Sequence, residues 1–112
     1  KIKVMSQFIS THNKGFNMTF ENGISISVQW GSMNYCERRN YNDDFRQEMK
    51  SDFIKSPDAE IMISGMDGIV LGNGDVVAGW LSTNTVAELI TACSTATNVE
   101  HLNEMLSKIK GL

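Results

Sequence analysis

A change of hydrophobic period part-way along the chain limits its possible folds more than any other feature. Between residues 16 and 30 apolar side chains take every second position, first Phe16, Met18 and Phe20, then Ile24, Ile26, Val28 and Trp30. That is the period of half-buried strands. From residue 86 onward the spacing becomes three, four and seven, with Val86, Leu89, Ile90 and Cys93 followed by Val99, Leu102, Leu106 and Ile109. That is the stripe of a helix lying on another layer. Strands gathered before helices predict an α+β domain: an N-terminal antiparallel β-sheet of about five strands followed by two C-terminal helices. At 112 residues the chain suits one domain, residues 1–112, with a real but shallow core.

The first two runs must pair, and the loop between them sets how. A two-residue Asn22-Gly23 turn would place Phe20 opposite Ser25 and Met18 opposite Ser27, mixing apolar and polar residues on both faces. A three-residue loop of Glu21, Asn22 and Gly23, with Gly23 left-handed in a bulge, aligns Phe20 with Ile24, Met18 with Ile26 and Phe16 with Val28. One face then becomes wholly apolar. Ile2, Val4 and Phe8 predict a preceding strand, and the alternation of Ala59, Ile61 and Ile63 a later one. A turn at Asp67-Gly68 and a hairpin turn at Gly72-Asn73-Gly74-Asp75 precede a last strand over Val76 to Leu81.

Helix boundaries are also written in the sequence. Thr85-Val86-Ala87-Glu88 fits a capping box, which starts the first helix at Thr85 and makes Cys93 a core residue. Asn98 caps the second, Lys108 and Lys110 suit its last turn, and Gly111 terminates it. Between sheet and helices, residues 31 to 58 carry no sustained period. Phe45, Met49 and Phe53 predict one short helix with a narrow apolar stripe, and so long a connection in a compact domain points to function.

Composition excludes several classes. A net charge of −3 denies the chain the positive field that duplex nucleic acid rewards, so no duplex partner is expected. No apolar run approaches a membrane span and Lys1 to Ser10 lacks a signal peptide's apolar stretch, so the chain is read as soluble and unexported. Cys36 and Cys93, without C-x-x-C spacing, read as two free thiols in a reducing compartment.

Catalytic groups are few. His12 and His101 stand in no metal-ligand spacing and are read as surface residues, so no metal and no cofactor is expected. Gly72-Asn73-Gly74 is not followed by the lysine of a phosphate loop. The chemistry concentrates in Trp30 to Tyr41. Within it Trp30, Tyr35 and Tyr41 can stack on a base, Arg38 and Arg39 can fork onto phosphates, and Asn34 can read a base or ribose edge. Trp80, at the end of a later strand, can form a second wall. In the competing reading Trp30 caps the sheet, the tyrosines cover its edge, and the arginines pair with Asp43 and Asp44. The place of the cluster, where an apolar strand leaves the sheet for the longest irregular segment, favours binding by Trp30, Asn34, Tyr35, Arg38, Arg39 and Trp80, with no catalytic residue.

The runs Thr11-His-Asn-Lys-Gly-Phe-Asn-Met-Thr-Phe-Glu-Asn-Gly, Ser27-Val-Gln-Trp-Gly and Asn34-Tyr-Cys-Glu-Arg-Arg resemble small phage-encoded proteins. Within that group the layout of a sheet followed by two helices is similar to the Thoeris anti-defence sponge proteins of the first type. The resemblance implies a non-catalytic homo-oligomer, in the cytoplasm of the infected bacterial host, that sequesters cyclic ADP-ribose isomers made by TIR immune enzymes. Some members of that family also bind cyclic oligonucleotides at a separate site. It assigns no ligand contact to a particular residue. A homo-oligomer is also expected from the residues, because Trp30 and Trp80 at strand ends call for cover by a second copy. The alternative is an inhibitor of a host protein, in which Asp43, Asp44, Glu48, Asp52 and Asp58 form an acidic docking surface. A small nucleotide-directed enzyme would have only Glu37 in the cluster as acid or base.

Overall fold

The computed structural model describes residues 5–41, 44–72 and 78–112. Ile2, Val4, Asp43 and residues 73–77 of the expectations above lie outside them. The architecture is α+β: one antiparallel sheet of six strands, then two C-terminal helices. The strands are β1 (Gln7–Ser10), β2 (Gly15–Thr19), β3 (Ser25–Gln29), β4 (Asp58–Gly65), β5 (Gly68–Leu71) and β6 (Ala78–Ser82). A 3₁₀ turn over Glu37–Asn40 and a short helix α1 (Phe45–Lys50) lie between β3 and β4, while α2 (Thr83–Thr95) and α3 (Val99–Ser107) follow β6.

The β2–β3 register is the one demanded by the apolar alternation. Phe16 faces Val28 and Met18 faces Ile26, Gly23 has φ +85°, and Phe20 and Ile24 close the three-residue loop. β4 continues the same face, with Ile63 beside Ile26 and Ile61 beside Val28. Those side chains, with Leu81, form a floor on which Val86, Leu89 and Cys93 of α2 and Leu102 of α3 are buried. The loop also serves the helix. The Asn22 side chain donates to the carbonyls of Cys93 (2.7 Å) and Ala96 (2.9 Å), which the last turn of α2 leaves without helical partners.

Three expectations need correction. α2 begins at Thr83, capped by the Ser82 hydroxyl accepting from the Thr85 amide, because β6 runs straight into the helix and leaves no room for a cap at Thr85. α3 ends at Ser107 with Lys108 as its C-cap, so neither lysine stands in its last turn; Asn98 caps its start by accepting from the His101 amide, and Gly111 beyond it has φ +86°. Finally, β5 and β6 do not form a hairpin. β5 pairs with Ile63–Gly65 and β6 with Asp58–Ile61 of the same strand, so they lie end to end along one flank of β4. Gly72 (φ +83°) sits where they part, so close to β4 that a Cβ there would meet the Ile61 carbonyl at 2.5 Å. Among the described residues no helix is long and apolar enough to cross a membrane.

Candidate functional site

The uncovered face of the sheet carries the alternate residues Ser27, Gln29, Glu60 and Met62, with Ser27 opposite Met62 and Gln29 opposite Glu60. A cavity of about 210 Å³ opens on it, with Asn34 and Tyr35 at its wall. Helices cover the opposite face; on this one Ser27, Gln29 and Glu60 are half-buried and Met62 is exposed.

β6 supplies the decisive irregularity. Its pairing with β4 slips between Ala59 and Ile61, and at the slip Trp80 takes φ +53°, a left-handed conformation unusual for a bulky residue. The Trp80 amide donates to the Tyr35 carbonyl at 2.9 Å. Its indole, 52 % exposed, leans on the Tyr35 ring at 5.6 Å between centroids. Above the tyrosine lies the Arg39 guanidinium, 4.4 Å from the ring centroid. Cation, phenol and indole thus form a ladder, of which Tyr35 lines the cavity. Backbone strain of this kind belongs where something over-determines it, and functional sites are where it gathers.

Arg38 and Arg39 part company because successive residues of a 3₁₀ turn point about a third of a revolution apart. Arg39 faces outward. Arg38 is buried, its Nε 2.9 Å from Oε2 of Glu48 and its Nη1 on the Lys55 carbonyl, with the guanidinium 5.1 Å from the Tyr41 ring centroid. Arg38 is thus turned inward as one half of a buried ion pair with Glu48, and its expected pairing with Asp43 lies outside the described residues. Glu48 also accepts from the Ser32 amide (3.0 Å) and hydroxyl (2.6 Å). Burial pushes the Glu48 carboxyl up, but the Ser32 hydrogen bonds and Arg38 outweigh it and hold it below its ordinary value. Met49 and Phe53, expected as an apolar stripe, are 50 % and 71 % exposed, because α1 turns Glu48 inward instead; the side chain of Phe45 lies outside the description.

Asn34 is also tied down. Its Oδ1 accepts from the Gly31 amide at 2.9 Å and its Nδ2 donates to Glu60 at 3.0 Å, so it orients the carboxylate. Trp30 keeps the parity of Ile26 and Val28, which directs it to the helix-covered face. There it meets Phe16 edge-on at 6.3 Å, and its indole N–H donates to the Ile54 carbonyl at 3.1 Å. Of the six expected residues the structure brings Tyr35, Arg39 and Trp80 together, places Asn34 behind them, and sends Trp30 and Arg38 elsewhere. Glu60 and Gln29 are additions. Their alternation with Ile61 and Val28 marked them as residues of the uncovered face, but nothing local distinguished that face as a site.

Of the acidic residues expected at a docking surface, Asp44 and Asp52 are exposed and Asp43 lies outside the described residues. Glu48 is buried, Asp44 caps α1 by accepting from the Arg46 amide, and Asp58 accepts from the Glu37 amide. Among the described residues no three His, Cys, Asp or Glu side chains are grouped to hold a metal. His12 is exposed, whereas His101 is half-buried and accepts from the Thr97 amide through Nδ1. Cys36 and Cys93 are free and buried; burial raises both thiols, Cys93 to about 12. No family model, curated protein or solved structure matches the chain.

Proposed function

We propose that the chain binds a small phosphorylated, ring-bearing ligand on the Arg39–Tyr35–Trp80 ladder and holds it without cleaving it. The observation that carries this is Trp80: a strained bulge holds a half-exposed indole against Tyr35, with a guanidinium one ring away. A flat base can stack on the indole while the guanidinium forks onto a phosphate. The sequence resemblance gives the ligand class, a cyclic ADP-ribose isomer serving as an immune signal, and the setting, a phage protein acting as a homo-oligomer in its host's cytoplasm.

Incubation with cyclic ADP-ribose isomers, removal of excess, heat denaturation and mass spectrometry test the reading. The ligand returns intact if the protein is a sponge; a cleaved product makes it an enzyme. Arg39→Ala separates the site from the fold. It should lower affinity about tenfold to hundredfold through loss of a charge-assisted bond while leaving the urea midpoint nearly unchanged. Unchanged affinity moves the site off this face.

A further inference from the structure

Among the described residues that line the cavity beside Tyr35, Glu60 is the charged one. Asn34 is fixed in orientation, since its Oδ1 is held by the Gly31 amide and one N–H of its Nδ2 donates to Glu60 Oε1. The Gln29 amide nitrogen is turned onto the Ser27 hydroxyl at 3.0 Å. Each amide thus spends one N–H on a neighbour that also lines the cavity. The strongest group offered to a ligand is an acceptor: the Glu60 carboxylate with up to four lone-pair positions, of which Asn34 takes one. Such a floor repels a phosphate and favours a group that donates. Arg39, which only donates, lies over the ring of Tyr35, the ladder residue that lines the cavity.

Resting on the reading of this face as a nucleotide site, we infer that Glu60 selects the donor-bearing end of the ligand, the hydroxyls of a ribose or the exocyclic amine of a base. The ligand then lies with its phosphate toward Arg39 and its donors over Glu60. Discrimination should be strong, because an analogue without the donor leaves an oriented carboxylate facing nothing, whereas one methylene more or less in an apolar pocket changes little.

Binding of ADP, 2′-deoxy-ADP and IDP to the wild-type protein, Glu60→Gln and Arg39→Ala, followed by calorimetry, tests this. Wild type should prefer ADP over one analogue by roughly tenfold or more. Preference over 2′-deoxy-ADP identifies the ribose hydroxyl, and preference over IDP the amine. Glu60→Gln, which can still accept from Asn34 and so should keep its urea midpoint, should lose about the same factor for ADP and cease to discriminate. Equal binding of all three by wild type, or unchanged ADP affinity in Glu60→Gln, overturns the inference. If Arg39→Ala weakens ADP while Glu60→Gln does not, only the role of Glu60 falls; if neither matters, or wild type fails to bind ADP at millimolar concentration, the nucleotide reading of the face falls with it.

Discussion

Replacing Glu48 by alanine should cost far more than a substitution on a six-residue helix would suggest. α1 is too short to persist on its own, and among its described side chains the buried one is Glu48, whose oxygens accept from the Ser32 amide, the Ser32 hydroxyl and Arg38 Nε. Glu48→Ala strips all of these and takes from Arg38, whose side chain is 9 % exposed, the carboxylate on its Nε. Removing one partner of a buried pair costs about 3–5 kcal/mol. The lower end, about 3 kcal/mol, applies because Ser32 is only half-buried and water can reach its freed groups. Glu48→Gln should lose less, since its amide oxygen still accepts from Ser32, and Arg38→Met combined with Glu48→Leu should recover much of the loss by removing both charges. Urea melts at neutral pH give each value, with unchanged slope as the sign that folding remains two-state. The acid limb is a second reading. A carboxyl held below its ordinary value of 4.5 stabilises the fold above that pH and loses the contribution as pH falls through the lowered folded value, so Glu48→Ala should flatten the acid limb. A loss under about 1 kcal/mol, the size of an exposed pair, would refute the reasoning.

Trp80→Gly should relieve about 1–2 kcal/mol of left-handed strain and forfeit a comparable ring contact, leaving the urea midpoint nearly fixed while ligand affinity falls about tenfold or more; undiminished affinity removes Trp80 from the site. Cys36 and Cys93, both buried with raised thiols, should resist iodoacetamide at neutral pH in the native protein and react together on unfolding, and fast native labelling of either contradicts its burial. Among the described residues β1 pairs only with β2 and Phe8 on it is 78 % exposed, so a homo-oligomer is expected to use this edge: light scattering at micromolar concentration should give more than one subunit's mass, and Phe8→Lys should reduce it.

The fold was legible wherever a period repeated. Three alternating apolar residues on each side of Glu21-Asn22-Gly23 admit one register, and the stripe from Val86 to Cys93 admits one buried face. Boundaries were less legible, since Ser82 and Thr85 are both acceptable caps and only the direct passage from β6 into α2 chooses between them. The site was half legible. Composition drew attention to Trp30–Tyr41 as rich in rings and guanidiniums, but inward Arg38 and outward Arg39 differ only by their place on a 3₁₀ turn, and Glu48 reads as one more surface acid until Arg38 is beside it. Nothing in Gly79-Trp80-Leu81 announces a bulge, because left-handed positions are ordinarily marked by glycine or asparagine.

The two hydrogen bonds from Asn22 to the end of α2 join residues more than seventy positions apart. The apolar face of β3 is synthesised early, whereas the helix that covers it follows roughly sixty residues later, on the order of ten seconds at about 5–20 residues per second. Throughout that interval Ile24, Ile26 and Val28 have no lasting cover on the ribosome. A chain cut short before Thr83 should therefore aggregate more readily than the 112-residue chain, because the apolar face of its sheet has no α2 to cover it.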